Sequence, residues 1–313
     1  MSDVLNSLFW ILIFPGFVFT AVVGLIASWV VRKVSAAVQW RVGPPFFQPF
    51  FDIAKLMGKE TLVPEDAQKT IFAMAPVVGL AGITLLSTML WRGAIWQTDF
   101  VGDIIVAIYL MVLPSLALIL GSSASASPHA SIGTSREMKL VIGYELPLVM
   151  AFVVVVIKTG GQLGLAAIGK SAPVLSVSGM LAFLVSLFCI QAKLGFVPFD
   201  VAEAETEIGG GVLMEYSGTL LALWKIMQVM MLAALPLFLV AVFMGGFGGS
   251  GLSLVWGVCK YVLILVLIIL IKNTNPRVRI DQAMKFFWVY CGLTSALAVI
   301  LAVAGNSYGI GWL

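Results

Sequence analysis

Eight apolar runs, each of roughly 18 to 25 residues, set the terms for this chain, because a helix of that length crosses a hydrocarbon core of about 30 Å. They centre near residues 8–31, 70–90, 103–121, 140–157, 177–194, 218–244, 252–272 and 283–304. The runs are continuous instead of alternating apolar with polar, which favours helices over a membrane β-barrel. Of 313 residues, 61% are hydrophobic and 11% charged, whereas soluble domains carry about a quarter charged residues. The expected fold is therefore an all-α polytopic membrane protein with eight transmembrane helices, one membrane domain over residues 1–313. The N-terminal "MSDVLNSLFWILIFPGF" lacks a basic segment before its apolar run and carries Asp3 instead. It reads as a retained span, since a signal peptide has a basic start and a shorter apolar core.

Orientation follows from basic residues in the connections. The segments after spans one, three, five and seven hold Arg32, Lys33, Arg41, Lys55, Lys59, Lys69, Arg136, Lys139, Lys193, Lys272, Arg277, Arg279 and Lys285, against Arg92, Lys158 and Lys170 on the other side. This asymmetry places both termini outside and the longer, charged segments (about 32–69, 122–139, 195–217 and 273–282) on the cytoplasmic side of the cytoplasmic membrane. A surface built to meet a soluble partner has this character. The net charge of +3 is small and its basic residues are dispersed, so nucleic acid is not an expected partner.

Cofactor chemistry finds little footing here. The three cysteines, Cys189, Cys259 and Cys291, lie in apolar runs without a CxxC pair, too few for a four-cysteine iron–sulfur cluster. No metal site is expected in this chain, so any redox centre belongs to a partner. No inverted repeat of the kind found in many secondary transporters is evident. Prolines 15, 76, 114, 147 and 236 fall within spans and are expected to kink them.

The informative residues are ionisable groups at or near membrane depth. In "WRVGPPFFQPFFDIAKLMGKE", Gly43-Pro44-Pro45 enforces a turn, and the following aromatics interleaved with Gln48, Asp52 and Lys55 suit an amphipathic interfacial helix. The lone histidine, His129, reads more readily as a solvated loop residue. Glu145 lies inside the fourth span, eight residues after Glu137 and about 80° around a helix from it. A carboxylate inside a membrane is costly to bury. It is either one half of a structural pair, with a lysine or an amide as partner, or a proton carrier. The densest acidity is in "FVPFDVAEAETEIGGGVLMEY", which holds Asp200, Glu203, Glu205, Glu207 and Glu215. On a helix, Asp200, Glu203 and Glu207 would share a face while Glu205 would not. The three glycines that follow would break that helix. Lys225 would then sit one to two turns inside span six. A series of such groups favours a proton path.

Three stretches together, "RVGPPFFQPFFDIAKLMGKE", "SIGTSREMKLVIGYELP" and "PFDVAEAETEIGGGVLMEYSG", resemble the NuoH/HycD family. This is the eight-span membrane subunit of respiratory complex I and of membrane-bound, energy-converting [NiFe] hydrogenases. The resemblance implies a non-catalytic anchor that joins a cytoplasmic redox arm, made of hydrogenase-like large and small subunits, to antiporter-like ion pumps. The [NiFe] site and iron–sulfur clusters would lie in those partners. It implies proton-path or coupling roles for Glu137, Glu145, Asp200, Glu203, Glu205, Glu207, Glu215 and Lys225. It implies a redox-arm interface at Arg41, Gly43, Pro44, Gln48, Asp52, Lys55 and Arg136. Only Phe46 and Phe47 separate Pro45 from Gln48-Pro49, where complex I members have a longer insert. That short form argues against quinone binding and resembles the hydrogenase branch, including its sulfane-reductase relatives. A quinone-facing complex I subunit, a purely structural anchor and a stand-alone transporter are the alternatives.

Overall fold

The computed structural model describes residues 2–99, 103–247 and 251–313, and all their regular structure is helical. In chain order the helices are α1 (Ser2–Leu12), α2 (Phe17–Val38), α3 (Gln48–Met57), α4 (Lys69–Trp96), α5 (Asp103–Ser123), α6 (Pro128–Lys158) and α7 (Leu165–Ile168). They continue with α8 (Val177–Lys193), α9 (Glu205–Ile208), α10 (Gly218–Phe243), α11 (Leu252–Thr274), α12 (Ile280–Lys285) and α13 (Gly292–Tyr308). A π-helical turn, Phe286–Cys291, joins α12 to α13.

Among the described residues, seven helical segments are long and apolar enough to span a membrane. The first combines α1 and α2 across a break at 13–16, where Pro15 interrupts the backbone ladder. The fifth expected span is less regular. At 17 residues α8 is at the lower limit for crossing, and it meets the short helical pieces at Leu165–Leu175 at a 106° bend. Counting that bent pair gives eight. Pro76, Pro114, Pro147 and Pro236 lie inside continuous helices.

Helix α10 forms the centre. Its C-terminal half is buried all round, and α2, α3, α4, α8 and α11 pack on it. Without a hydrophobic force between helices in lipid, close approach relies on small residues. Gly24 of α2 supplies one such contact, since a Cβ there would lie 2.2 Å from the Val229 carbonyl oxygen of α10. Helix α6 packs against α5, α8 and α13. Outward-facing Ile142, Leu146, Leu293 and Ile300 leave an apolar surface that only lipid or another membrane subunit can cover.

The four charged connections gather at one end of the bundle. Gln68 N–H bonds the Ala124 carbonyl, Leu62 N–H bonds the Ser217 hydroxyl, and Val278 N–H bonds the Pro198 carbonyl. Two expectations fail here. Residues 128–139 are not a loop: Pro128, fitted to a first helical turn, starts α6 twelve residues before the apolar run. The small residues Ala130, Gly133 and Thr134 let the acidic segment lie directly on that turn, with a Gly133 Cβ position 2.8 Å from the Val212 nitrogen. Lys193 is also not a loop residue, for it ends α8 with its side chain fully buried.

Candidate functional site

The acidic segment does not form the expected helix face. Only Glu205–Ile208 is α-helical, with a 3-10 turn at Gly211–Leu213, while residues 200–204 are irregular backbone. Two forces override the carboxylate spacing. Val201, Ala202 and Ala204 are buried, which turns the intervening residues inward, and each carboxylate has its own distant partner. Asp200 pairs with Arg277 at 2.7 Å, Glu207 pairs with Arg136 at 2.6 Å, and Glu203 accepts a 2.7 Å hydrogen bond from Gln228 Nε2. The side chain of Glu205 lies outside the described residues. Glu215 is half-buried at the end of the segment, past the glycines. Gly210 adopts φ +98°, a left-handed conformation that glycine alone takes without strain, and so turns the chain back toward the bundle. Tyr216 then anchors it: its ring stacks on Phe72 at 4.1 Å and its hydroxyl donates to the Phe72 carbonyl. Burial raises the Tyr216 phenol above its usual range.

Two cavities flank Glu203. The inner one, about 40 Å³, is lined by Ser115, Glu137, Lys193, Asp200, Glu203 and Gln228, among others. It has room for about two or three waters. The outer one, about 480 Å³, lies between α2, α3, α10 and α11 and is lined in part by Arg32, Asp52, Glu203, Lys225, Gln228 and Lys272. Leu194, Gly195, Glu203 and Gln228 belong to both. Lys225 donates to Gln228 Oε1 at 3.0 Å, so Lys225, Gln228 and Glu203 form one connected chain from α10 to the acidic segment.

Beyond the inner cavity lies Glu145. Its Oε2 accepts from Lys193 Nζ at 3.1 Å, and the same ammonium donates to the Met111 carbonyl at 3.2 Å. The expected Glu137 lines the same inner cavity as Lys193, while Glu145 pairs with that lysine from the neighbouring helix. Arg136 points away from both, to Glu207 and the Val201 carbonyl.

The first-loop residues form a separate cluster. Arg32 and Gln48 both donate to Asp52, at 2.7 and 2.8 Å, and the Arg32 hydrogen bond holds the Asp52 carboxyl below its usual range. The Pro44 carbonyl accepts from Trp29 Nε1. Gly43 packs against the stem of Lys33. Arg41 and Lys55 are exposed, as is His129 at the start of α6. Helix α3 turns Pro49 and Ile53 inward and Phe47, Phe51 and Met57 outward, as an interfacial helix does.

Lys193, Gln228, Arg277 and Arg32 complete these pairs and were absent from the expected set. Among the described residues no cluster of His, Cys, Asp or Glu side chains has a metal-binding arrangement.

A model of the family described as NADH dehydrogenase matches residues 10–303. The chain belongs to this family, the NuoH family. A curated relative from Dehalococcoides mccartyi (strain CBDB1), the NuoH-type subunit of an NADH-quinone oxidoreductase, is 31% identical over 300 residues, covering 93% of this chain and 84% of the relative. Its counterpart from Syntrophotalea carbinolica is 33% identical over 309 residues, covering 92% and 93%. A solved structure of the membrane-bound sulfane sulfur reductase (MBS), an archaeal respiratory membrane complex, contains a chain that superposes with a TM-score of 0.85 at 25% identity, covering 96% of this chain and all of that one. This NuoH-family chain is accordingly a multi-pass membrane subunit of the complex I-like type.

Proposed function

We propose that this chain anchors a cytoplasmic redox arm of the [NiFe]-hydrogenase type in the cytoplasmic membrane and conducts protons toward antiporter-like pumping subunits, with both termini outside. Glu203 carries the reading, because its carboxylate borders both cavities at the place where a segment facing the partner meets a buried ion pair. Lys225 and Gln228 lead to Glu203, the inner cavity separates Glu203 from Lys193 and has space for water, and Lys193 pairs with Glu145. The iron–sulfur clusters and [NiFe] site fall to partner subunits, because Cys189, Cys259 and Cys291 are too few thiols for a four-cysteine cluster.

The family also contains quinone-reducing members by name, and the outer cavity has the volume of a small-molecule site. Its lining includes Arg32, Asp52, Glu203, Lys225 and Lys272. The rest of the lining is mainly apolar, with Leu25, Val31, Ile53, Leu56, Phe196 and Leu232 among it, so the cavity itself does not separate the branches. The short Phe46-Phe47 connection supports the hydrogenase or sulfane-reductase branch. The test is Glu145→Gln and Glu207→Gln in the intact complex in membrane vesicles. Ion translocation should be lost in both, while hydrogenase or reductase activity of the detached soluble arm persists. Unchanged translocation in both variants would remove the conducting role.

A further inference from the structure

The Lys193–Glu145 pair is built unlike a structural ion pair. Lys193 Nζ has three N–H bonds, and two of them are directed to Glu145 Oε2 and the Met111 carbonyl. Lys193 also lines the inner cavity, the site open to its third N–H, together with Glu137, Asp200, Glu203, Ser115 and Gln228. On the other side, Glu145 Oε1 is buried and has no hydrogen-bond partner among the described residues. A pair kept only for stability would have its lone pairs satisfied. This one has a lysine lining a water-sized space and a buried carboxylate oxygen without a hydrogen-bond partner. The buried Tyr144 ring lies 5.2 Å from Nζ, and Tyr144 is itself held by its contact with the Ser115 hydroxyl.

We propose that Lys193 is a proton-carrying residue that passes protons from the inner cavity to Glu145. In the transfer an Nζ–H bond breaks and an Oε2–H bond forms, turning the ion pair into a neutral amine beside a neutral carboxylic acid. The amine lone pair takes a proton from a cavity water, which is resupplied from Glu137 or Glu203. Glu145 then releases its proton to the next acceptor and returns to carboxylate. One proton enters, one leaves, and no electrons move. The inference rests on the conducting role proposed above and adds the residue that connects the cavity to Glu145.

The test compares Lys193→Arg with Glu145→Gln in the whole complex reconstituted into liposomes, with co-purification of the partner subunits as the assembly control. Arginine keeps the positive charge and the pair but does not release a proton. Lys193→Arg should assemble yet lower ion uptake by about 100-fold or more, the low end of what a positioned proton-transfer group contributes. Wild-type uptake by Lys193→Arg with loss in Glu145→Gln would overturn the role of Lys193 and leave the path through Glu145 standing. Wild-type uptake by Glu145→Gln would overturn both. Should the arginine variant not assemble, infrared difference spectra of the wild-type complex on reduction of its redox arm decide. A carboxylic-acid carbonyl band that vanishes in Glu145→Gln supports the transfer, and its absence overturns it.

Discussion

Replacing Glu145 by leucine isolates the energetic weight of the buried pair. The substitution leaves the Lys193 ammonium, which has no solvent exposure, with the Met111 carbonyl, the face of Tyr144 and the small inner cavity it lines, but no direct counter-ion. At the observed 3.1 Å separation, an effective dielectric of about 20 gives roughly 5 kcal/mol of lost attraction. Breaking a buried pair by removing one partner costs about 3–5 kcal/mol. The 23% exposure of the glutamate side chain moves the expectation toward the lower end. In a chain of 313 residues that corresponds to a fall in unfolding midpoint of roughly 5–8 °C. The assay is thermal unfolding of the purified complex in detergent, read beside the double variant Glu145→Leu/Lys193→Met. Removing both charges at similar volume is often neutral or stabilising, so the double variant should recover most of the loss. A double variant no more stable than Glu145→Leu alone would refute the claim that the two side chains are coupled.

Gly24→Ala should destabilise the α2–α10 contact by about 1–3 kcal/mol through overpacking, read as a lower unfolding midpoint; wild-type stability would mean the helices can separate freely. Gln228→Leu cuts the link between Glu203 and Lys225 and should lower ion translocation without loss of assembly, measured in the same vesicles. Asp52 gives a signed pH expectation. Its folded pKa is depressed by the Arg32 hydrogen bond, so its contribution is present above the ordinary carboxylate value and lost as pH falls through the lower folded one. The packing of α3 on α2, followed by Trp29 fluorescence, should be flat from pH 8 to 5 and loosen only below about pH 4. Asp52→Asn should abolish that acid step.

The spans were legible in the sequence because lipid admits only backbone that satisfies itself, and a long apolar run leaves a helix as the simple solution. Helix α8 was legible too, at 177–194, but the role of its last residue was not. Its 17 residues end at a buried lysine, and Lys193 was counted with the loop cations because its partner lies 48 residues away in sequence. The same blindness affects the acidic segment. Helical spacing treats carboxylates as neighbours of one another, whereas Asp200 is held by Arg277, Glu207 by Arg136 and Glu203 by Gln228. Only tertiary contact decides among such partners. What spacing did capture is that the Glu137 and Glu145 side chains lie two turns apart on one helix, which is why a single lysine from α8 can stand between the inner cavity and Glu145.

The most direct test of the conducting role is the number of ions moved per electron by the reconstituted complex carrying Glu203→Gln. Glu203 borders both cavities, and glutamine preserves its shape while removing the site a proton would occupy. The complex should assemble, and the ratio should fall to near zero. A wild-type ratio in this variant would contradict a path from the acidic segment to Glu145.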